Sequence, residues 1–140
     1  MYSIQFSDWG LVFEFTGPVT QGIIQDWLGD VQQLTGGFSE PFSVVIDLKE
    51  ATPAEARVQG PLREGLRVLQ EAGLERTAIV VDPDYREVWN RLPSTSDERG
   101  VRYVVAHRGS AWASKAHGWV QRGDEPADNS PPRAVRDGGG

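Results

Sequence analysis

The chain has 140 residues, 14 Lys+Arg against 20 Asp+Glu, a formal net charge of −6 and no cysteine. That length is one domain's worth and can bury a sizeable core. The acidic balance argues against non-specific binding of nucleic acid or of an anionic membrane surface, the missing thiols exclude a disulfide framework and a thiolate metal centre, and no apolar run approaches the ~20 residues of a membrane span.

Residues Met1–Phe6 lack the basic and apolar regions of a signal peptide, so a cytoplasmic location is expected. Tyr2, Ile4 and Phe6 alternate with polar residues and predict a first strand. Ser7–Gly10 is a turn, and Leu11, Phe13 and Phe15 alternate with Val12, Glu14 and Thr16 in a second strand, together an antiparallel hairpin. Gly17-Pro18 is expected to end it. Thr20 caps a helix whose buried face is Ile23, Ile24, Trp27, Leu28, Val31 and Leu34, stopped by Gly36-Gly37.

The most telling stretch is Phe42–Gly73. Phe42, Val44, Ile46 and Leu48 fall on one face of a strand, with Ser43, Val45 and Asp47 on the other. Thr52 as N-cap, Pro53 at the first helical position and Glu55 as the far half of a Thr-x-x-Glu capping box predict a helix from there. Its stripe is Val58, Leu62, Leu66 and Leu69, with Gly65 leaving room for close packing and Gly73 as a left-handed C-cap. Pro61 lies inside this pattern and predicts a kink or break between Val58 and Pro61.

Thr77–Val81 is a short apolar run, the mark of a buried parallel strand. Asp82-Pro83 opens a helix with Tyr85, Val88, Trp89 and Leu92 on one face. Pro93–Gly100 is a polar loop, and Val101, Tyr103 and Val105 mark a fifth strand. Ser110 is expected to cap a last helix whose inner side is Trp112, Ala116, Trp119 and Val120. Residues 1–121 thus read as one domain, and 122–140 as a flexible tail too polar to order itself.

The element order is ββαβαβαβα: an α/β fold with a mixed five-stranded sheet, an N-terminal hairpin and then a right-handed βα superhelix. One face of the strands is apolar, while the other holds Glu14, Ser43, Asp47 and Arg102. Most helices are therefore expected on one face. The second face would be partly exposed or used in self-association, making a homodimer plausible.

This order, with the Val44–Leu48 strand leading into a capped helix, resembles the STAS domain family, which includes the anti-sigma-factor antagonists of bacteria. The likeness covers about Met1 to Val120 and is greatest to small stand-alone SpoIIAA-like proteins of uncharacterised role. It implies a non-enzymatic module that binds a protein partner through the loop after the third strand, here Lys49, Glu50, Thr52, Glu55 and Arg57. In the antagonists a kinase phosphorylates a hydroxyl residue in a turn after that strand. Aligned on Asp47-Leu48, this chain has Ala56 in place of the hydroxyl and Val58 in place of the glycine, so the resemblance implies no phosphoserine switch. Thr52 is the nearest hydroxyl, and capping accounts for it.

Chemistry-bearing patterns are sparse. GxGxxG, GxxxxGK[ST] and GxSxG are absent, and His117 forms no HxxxH or HExxH pair. Asp47, Asp82, His107 and Ser110 fall near the carboxyl ends of strands, where ligand sites of open α/β sheets gather. They would serve a small enzyme based on His107 with Asp82 or Asp47. Each also has a structural role available: Asp82 and Ser110 as helix starts, Asp47 satisfying its loop or meeting Lys49. Arg63 and Arg67 could form an anion-binding edge, offset by Glu64 and Glu71. The reading favoured is the partner-binding module, with no cofactor, metal, nucleic acid or membrane. Its rivals are a carrier of an apolar ligand opening around Trp27, Trp89 or Trp112, and the enzyme.

Overall fold

In the computed structural model, residues 1–37, 40–53, 59–85 and 100–126 are described. Five strands, β1 (Tyr2–Ser7), β2 (Gly10–Val19), β3 (Phe42–Pro53), β4 (Leu74–Val81) and β5 (Val101–Val105), lie side by side in chain order. β1 and β2 are antiparallel, and β2 to β5 all run parallel. The helices are α1 (Gln21–Leu34), α2 (Gln59–Glu71) and α3 (Trp112–Arg122), with 3-10 turns at Thr35–Gly37 and Pro83–Tyr85. The helix expected through Val88, Trp89 and Leu92 falls outside the described residues.

The hairpin closes as its sequence implies, with Ser7 opposite Gly10 across Asp8-Trp9. Gly10 is obligatory: its φ is +153°, and a Cβ there would stand 1.8 Å from the Ser43 carbonyl oxygen. Gly17-Pro18 does not end β2, which runs on to Val19 beside β3. The reason lies in β1, whose pairing with β2 stops where Met1, just before the strand, stands opposite Thr16. Beyond that point β2 is itself a sheet margin, where proline's missing N–H is tolerated.

The main core lies between one sheet face and helices α1 and α2. Leu11, Phe13, Phe15, Val44, Ile46, Leu48, Ile79 and Val81 meet Ile24, Trp27, Val31, Leu62, Leu66 and Leu69 there. Trp27 is fully buried, with edge-on contacts to Phe13 and Phe15. Gly65 makes this possible, because a Cβ on it would stand 2.2 Å from two carbons of the indole ring.

Helix α2 begins at Gln59 rather than at Pro53, and Thr52 and Pro53 belong to β3 instead. Pro61 thereby falls in the first turn of α2, where N–H groups have no intrahelical acceptor, so it disrupts nothing. Gly73 closes the element at φ +112°.

The second sheet face carries the larger correction. Helix α3 packs across it over β3–β5, with Ala116, Trp119 and Val120 against Val45, Ala78, Val80 and Val104. Ser43 and Asp47 are consequently buried, not exposed. Crossover handedness constrains only helices that link parallel strands; α3 follows the last strand and is free to cover the other side. Over β1 and β2 the described residues cover this face only in part: Ser3 and Gln5 are exposed, Glu14 and Thr16 are half-buried, and Val12 packs at the margin of the α3 cluster.

Helix α3 is anchored at its far end. Trp119 Nε1 donates to the Thr77 carbonyl at 3.2 Å. Arg102 lies over the indole, 4.3 Å from its centroid, and forms a two-pronged ion pair with Glu125 at 2.8 Å. Gly123 (φ +75°) ends the helix, its N–H donating to Trp119 O while that of Asp124 donates to Gly118 O. At the near end Ala111, not Ser110, occupies the N-cap position, with no side-chain cap.

Candidate functional site

The carboxyl end of β3 is built around a bulge. Glu14 and Thr16 of β2 stand opposite Asp47 and Glu50, so β3 has one extra residue there. The extra residue lets Leu48 and Ala51, three apart, both reach the main core. It also gathers Asp47 and Lys49 into one local pair. Asp47 Oδ1 accepts the Lys49 backbone N–H at 3.1 Å and Oδ2 accepts Lys49 Nζ at 2.6 Å. Asp47 is only 7% exposed, so this pairing replaces most of the hydration its carboxylate has lost. The Lys49 ammonium also lies 4.5 Å from the centroid of the Trp112 ring, at the start of α3.

Past this pair the strand overruns its neighbour. The β3–β4 ladder ends at Leu48–Val81, while the β2–β3 ladder continues through Glu50, Ala51, Thr52 and Pro53. A two-stranded extension therefore projects beyond β4. Glu50 is exposed and Thr52 half-exposed on it, opposite Thr16 and Pro18. Of the five expected contact residues, Lys49, Glu50 and Thr52 are thus brought together on one projection, while Glu55 and Arg57 lie outside the described residues. Thr52 does not cap α2; it is a strand residue. The contact of Trp112 with Lys49 escaped the sequence reading, because periodicity placed Trp112 on a core-facing helix and gave no sign that the helix start would reach β3.

No side-chain hydrogen bond described joins the residues proposed for catalysis to one another. Asp82 Oδ1 accepts the Asp84 N–H at 2.7 Å and its carbonyl accepts the Tyr85 N–H, forming a tight turn. His107 and Ser110 share another turn, with the Ser110 N–H donating to the His107 carbonyl. Neither His107 Nε2 nor Ser110 Oγ has a hydrogen-bond partner among the described residues. No hydrogen bond described joins His107 to Asp47 or Asp82, and no cluster of three or more His, Asp or Glu with metal-binding geometry occurs among the described residues. The Arg63–Arg67 edge is not an open anion site: Arg67 is held by both Glu64 and Glu71. The Glu64 hydrogen bond raises the Arg67 guanidinium above its ordinary range, and Arg67 in turn lowers the Glu64 carboxyl.

A shallow cleft of about 220 Å³ lies at the opposite, amino end of the parallel strands, lined by Asp8, Trp9, Glu40, Pro41 and Phe42 among others. No helix among the described residues is long and apolar enough to cross a membrane.

The five-stranded sheet with its N-terminal hairpin and parallel βα run is the SpoIIAA-like fold, in agreement with two solved structures that it resembles. The unphosphorylated form of the anti-sigma factor antagonist SpoIIAA superposes with a TM-score of 0.58 at 10% identity, over 84% of this chain and 97% of that one. An uncharacterized protein of the DUF3478 family from Shewanella loihica PV-4, itself described as having a SpoIIAA-like fold, superposes with a TM-score of 0.53 at 17% identity, over 86% and 92%. No protein-family profile and no curated protein sequence matches the chain.

Proposed function

We propose that this chain is a non-catalytic, SpoIIAA-like module that binds a protein partner through the carboxyl end of β3. The observation that supports it most is the strand extension beyond β4, which presents Lys49, Glu50 and Thr52 from a rigid, bulge-anchored support. The solved relative SpoIIAA is an anti-sigma factor antagonist, and a partner of comparable regulatory kind is carried over on that basis. Glu55 and Arg57 follow in sequence and complete the surface. With Ala56 where the antagonists' turn has its hydroxyl, binding is not governed by a phosphoserine at that position. The acting unit is the domain of residues 1–121, located in the cytoplasm.

Two features weigh against the rivals. Trp27, which a carrier would turn toward its ligand, is wedged between Phe13 and Phe15 in a filled core. A His107-based enzyme would need a carboxylate to orient the ring, and both candidate carboxylates are engaged elsewhere.

The test is affinity capture from the native cell with quantitative mass spectrometry, comparing wild type with Glu50→Lys and Glu55→Lys. The proposal expects one or a few proteins to be depleted in both variants. Identical capture by all three would remove the proposed surface.

A further inference from the structure

We infer that two copies of this chain pair edge to edge through β1, about a twofold axis passing beside Ile4. Among the described residues β1 forms one margin of the sheet and pairs with β2 alone. Met1 and Thr16 exchange both backbone hydrogen bonds, at 2.8 and 3.1 Å. In an antiparallel ladder such exchanging pairs alternate with non-bonded ones. Ser3–Glu14, Gln5–Val12 and Ser7–Gly10 are therefore the next exchanging pairs, and the N–H and C=O groups of Tyr2, Ile4 and Phe6 point away from β2, toward the open margin.

That margin is self-complementary. Turned about a twofold axis at Ile4, a second copy sets its Ile4 against Ile4, its Phe6 against Tyr2 and its Gln5 against Ser3. Every outward N–H and C=O of Tyr2, Ile4 and Phe6 then finds a partner. Directly opposed residues in an antiparallel pair share a face, so Tyr2, Ile4 and Phe6 of both copies line up on the side covered by α1 and α2. The large apolar side chains left exposed among the described residues are Met1, at 77%, and Phe6, at 68%. Both belong to or adjoin this strand, and the pairing covers Phe6 with an aromatic cross-strand neighbour.

The composition of the edge supports the same occupant. Natural sheet margins are usually blunted by charge, proline or a bulge, and β1, Tyr-Ser-Ile-Gln-Phe-Ser, has none of these. The β5 margin differs: it carries Arg102, which the chain's own Glu125 engages. A chain of net charge −6 repels its copies, and an uncharged strand is where two of them approach at least cost. One added strand is smaller than a standard interface of ~1,600 Å², so the dimer is reversible. β2 separates β1 from β3, so the partner surface at Lys49–Thr52 stays free.

Sedimentation velocity from low micromolar to near-millimolar concentration tests the inference with three proteins: wild type, Ser3→Lys/Gln5→Lys and Ser3→Lys/Gln5→Glu. Ser3 and Gln5 are exposed, and circular dichroism checks that each variant folds. In the proposed register the first double variant opposes Lys to Lys twice, and the second opposes Lys to Glu twice. The expected result is a concentration-dependent wild-type dimer, with dimerisation of the two variants about tenfold or more apart in favour of Lys/Glu. A wild type that stays monomeric throughout, a dimer indifferent to both substitutions, or one weakened equally by both would overturn the inference. The same holds if β1 proves to capture an unrelated peptide strand instead.

Discussion

Replacing Gly65 by alanine should destabilise the protein, although alanine is the better helix former. Gly65 sits mid-way along α2, where Gly→Ala is intrinsically worth about 1 kcal/mol in favour of alanine. The added methyl would stand 2.2 Å from two ring carbons of Trp27. Ordinary carbon contacts begin near 3.5 Å, so roughly 1.3 Å of movement is required. The indole has little room to retreat, with Phe13 and Phe15 against it at centroid distances of 5.6 and 6.1 Å. Overpacking of this kind costs about 1–3 kcal/mol, or more where nothing yields. With about 1.3 Å to recover against a packed ring the upper part of that range applies, about 2–3 kcal/mol, so after the helix-propensity gain the net expectation is a loss of about 1–2 kcal/mol in urea denaturation. Gly29→Ala on the exposed side of α1, where a Cβ meets nothing within 4 Å, should gain about 0.5–1 kcal/mol instead. In a double-mutant cycle, Trp27→Phe should remove most of the Gly65→Ala cost, since the clashing ring carbons are gone. A Gly65→Ala protein as stable as wild type would refute this account of the α1–α2 core.

Three further outcomes follow from individual contacts. Lys49→Gln leaves the buried Asp47 carboxylate with only a backbone donor, and should cost about 1.5–3 kcal/mol in denaturant unfolding. Burial, then the hydrogen bond to Asp30, raises the Tyr2 phenol above its usual value of 10.0. Its contribution is therefore complete below pH 10 and is lost as pH climbs through the folded-state value; Tyr2→Phe should flatten this alkaline decline, read by unfolding at stepped pH. The hydrogen bond from Arg102 lowers the Glu125 carboxyl below 4.5. Its stabilising effect should persist above that pH and fade as acid reaches the depressed value, and Glu125→Gln should speed amide exchange at residues 123–126 without unfolding the sheet.

The sequence showed most of the framework because each strand and helix signal was local. The alternation in Leu11, Phe13 and Phe15, the α1 stripe and the Gly65 clearance all describe one face meeting one partner, and the structure has them so. The side taken by α3 was not local. The unbroken run Thr77–Val81 implied burial on both faces, and that was the available sign that something covers the second side. The Thr52 capping box misled because its pattern suits a helix start, while four paired positions beyond the bulge, from Thr16–Glu50 to Val19–Pro53, hold that segment in the sheet. Pro61, the apparent kink, marks the true first turn. At the candidate site, Asp47 meeting Lys49 was legible from their i, i+2 spacing. The Trp112 contact depends on where α3 docks, which no spacing encodes.

The proposal that the β3 extension is the recognition surface is tested most directly by photocrosslinking in the native cell. A photoreactive residue is placed in turn at Glu50, on the extension, and at Gln121, exposed on the outer side of α3. The account predicts a discrete adduct with another protein from position 50 and none from position 121. Adducts from position 121 alone, or none from position 50 under conditions where affinity capture retains a partner, would contradict it.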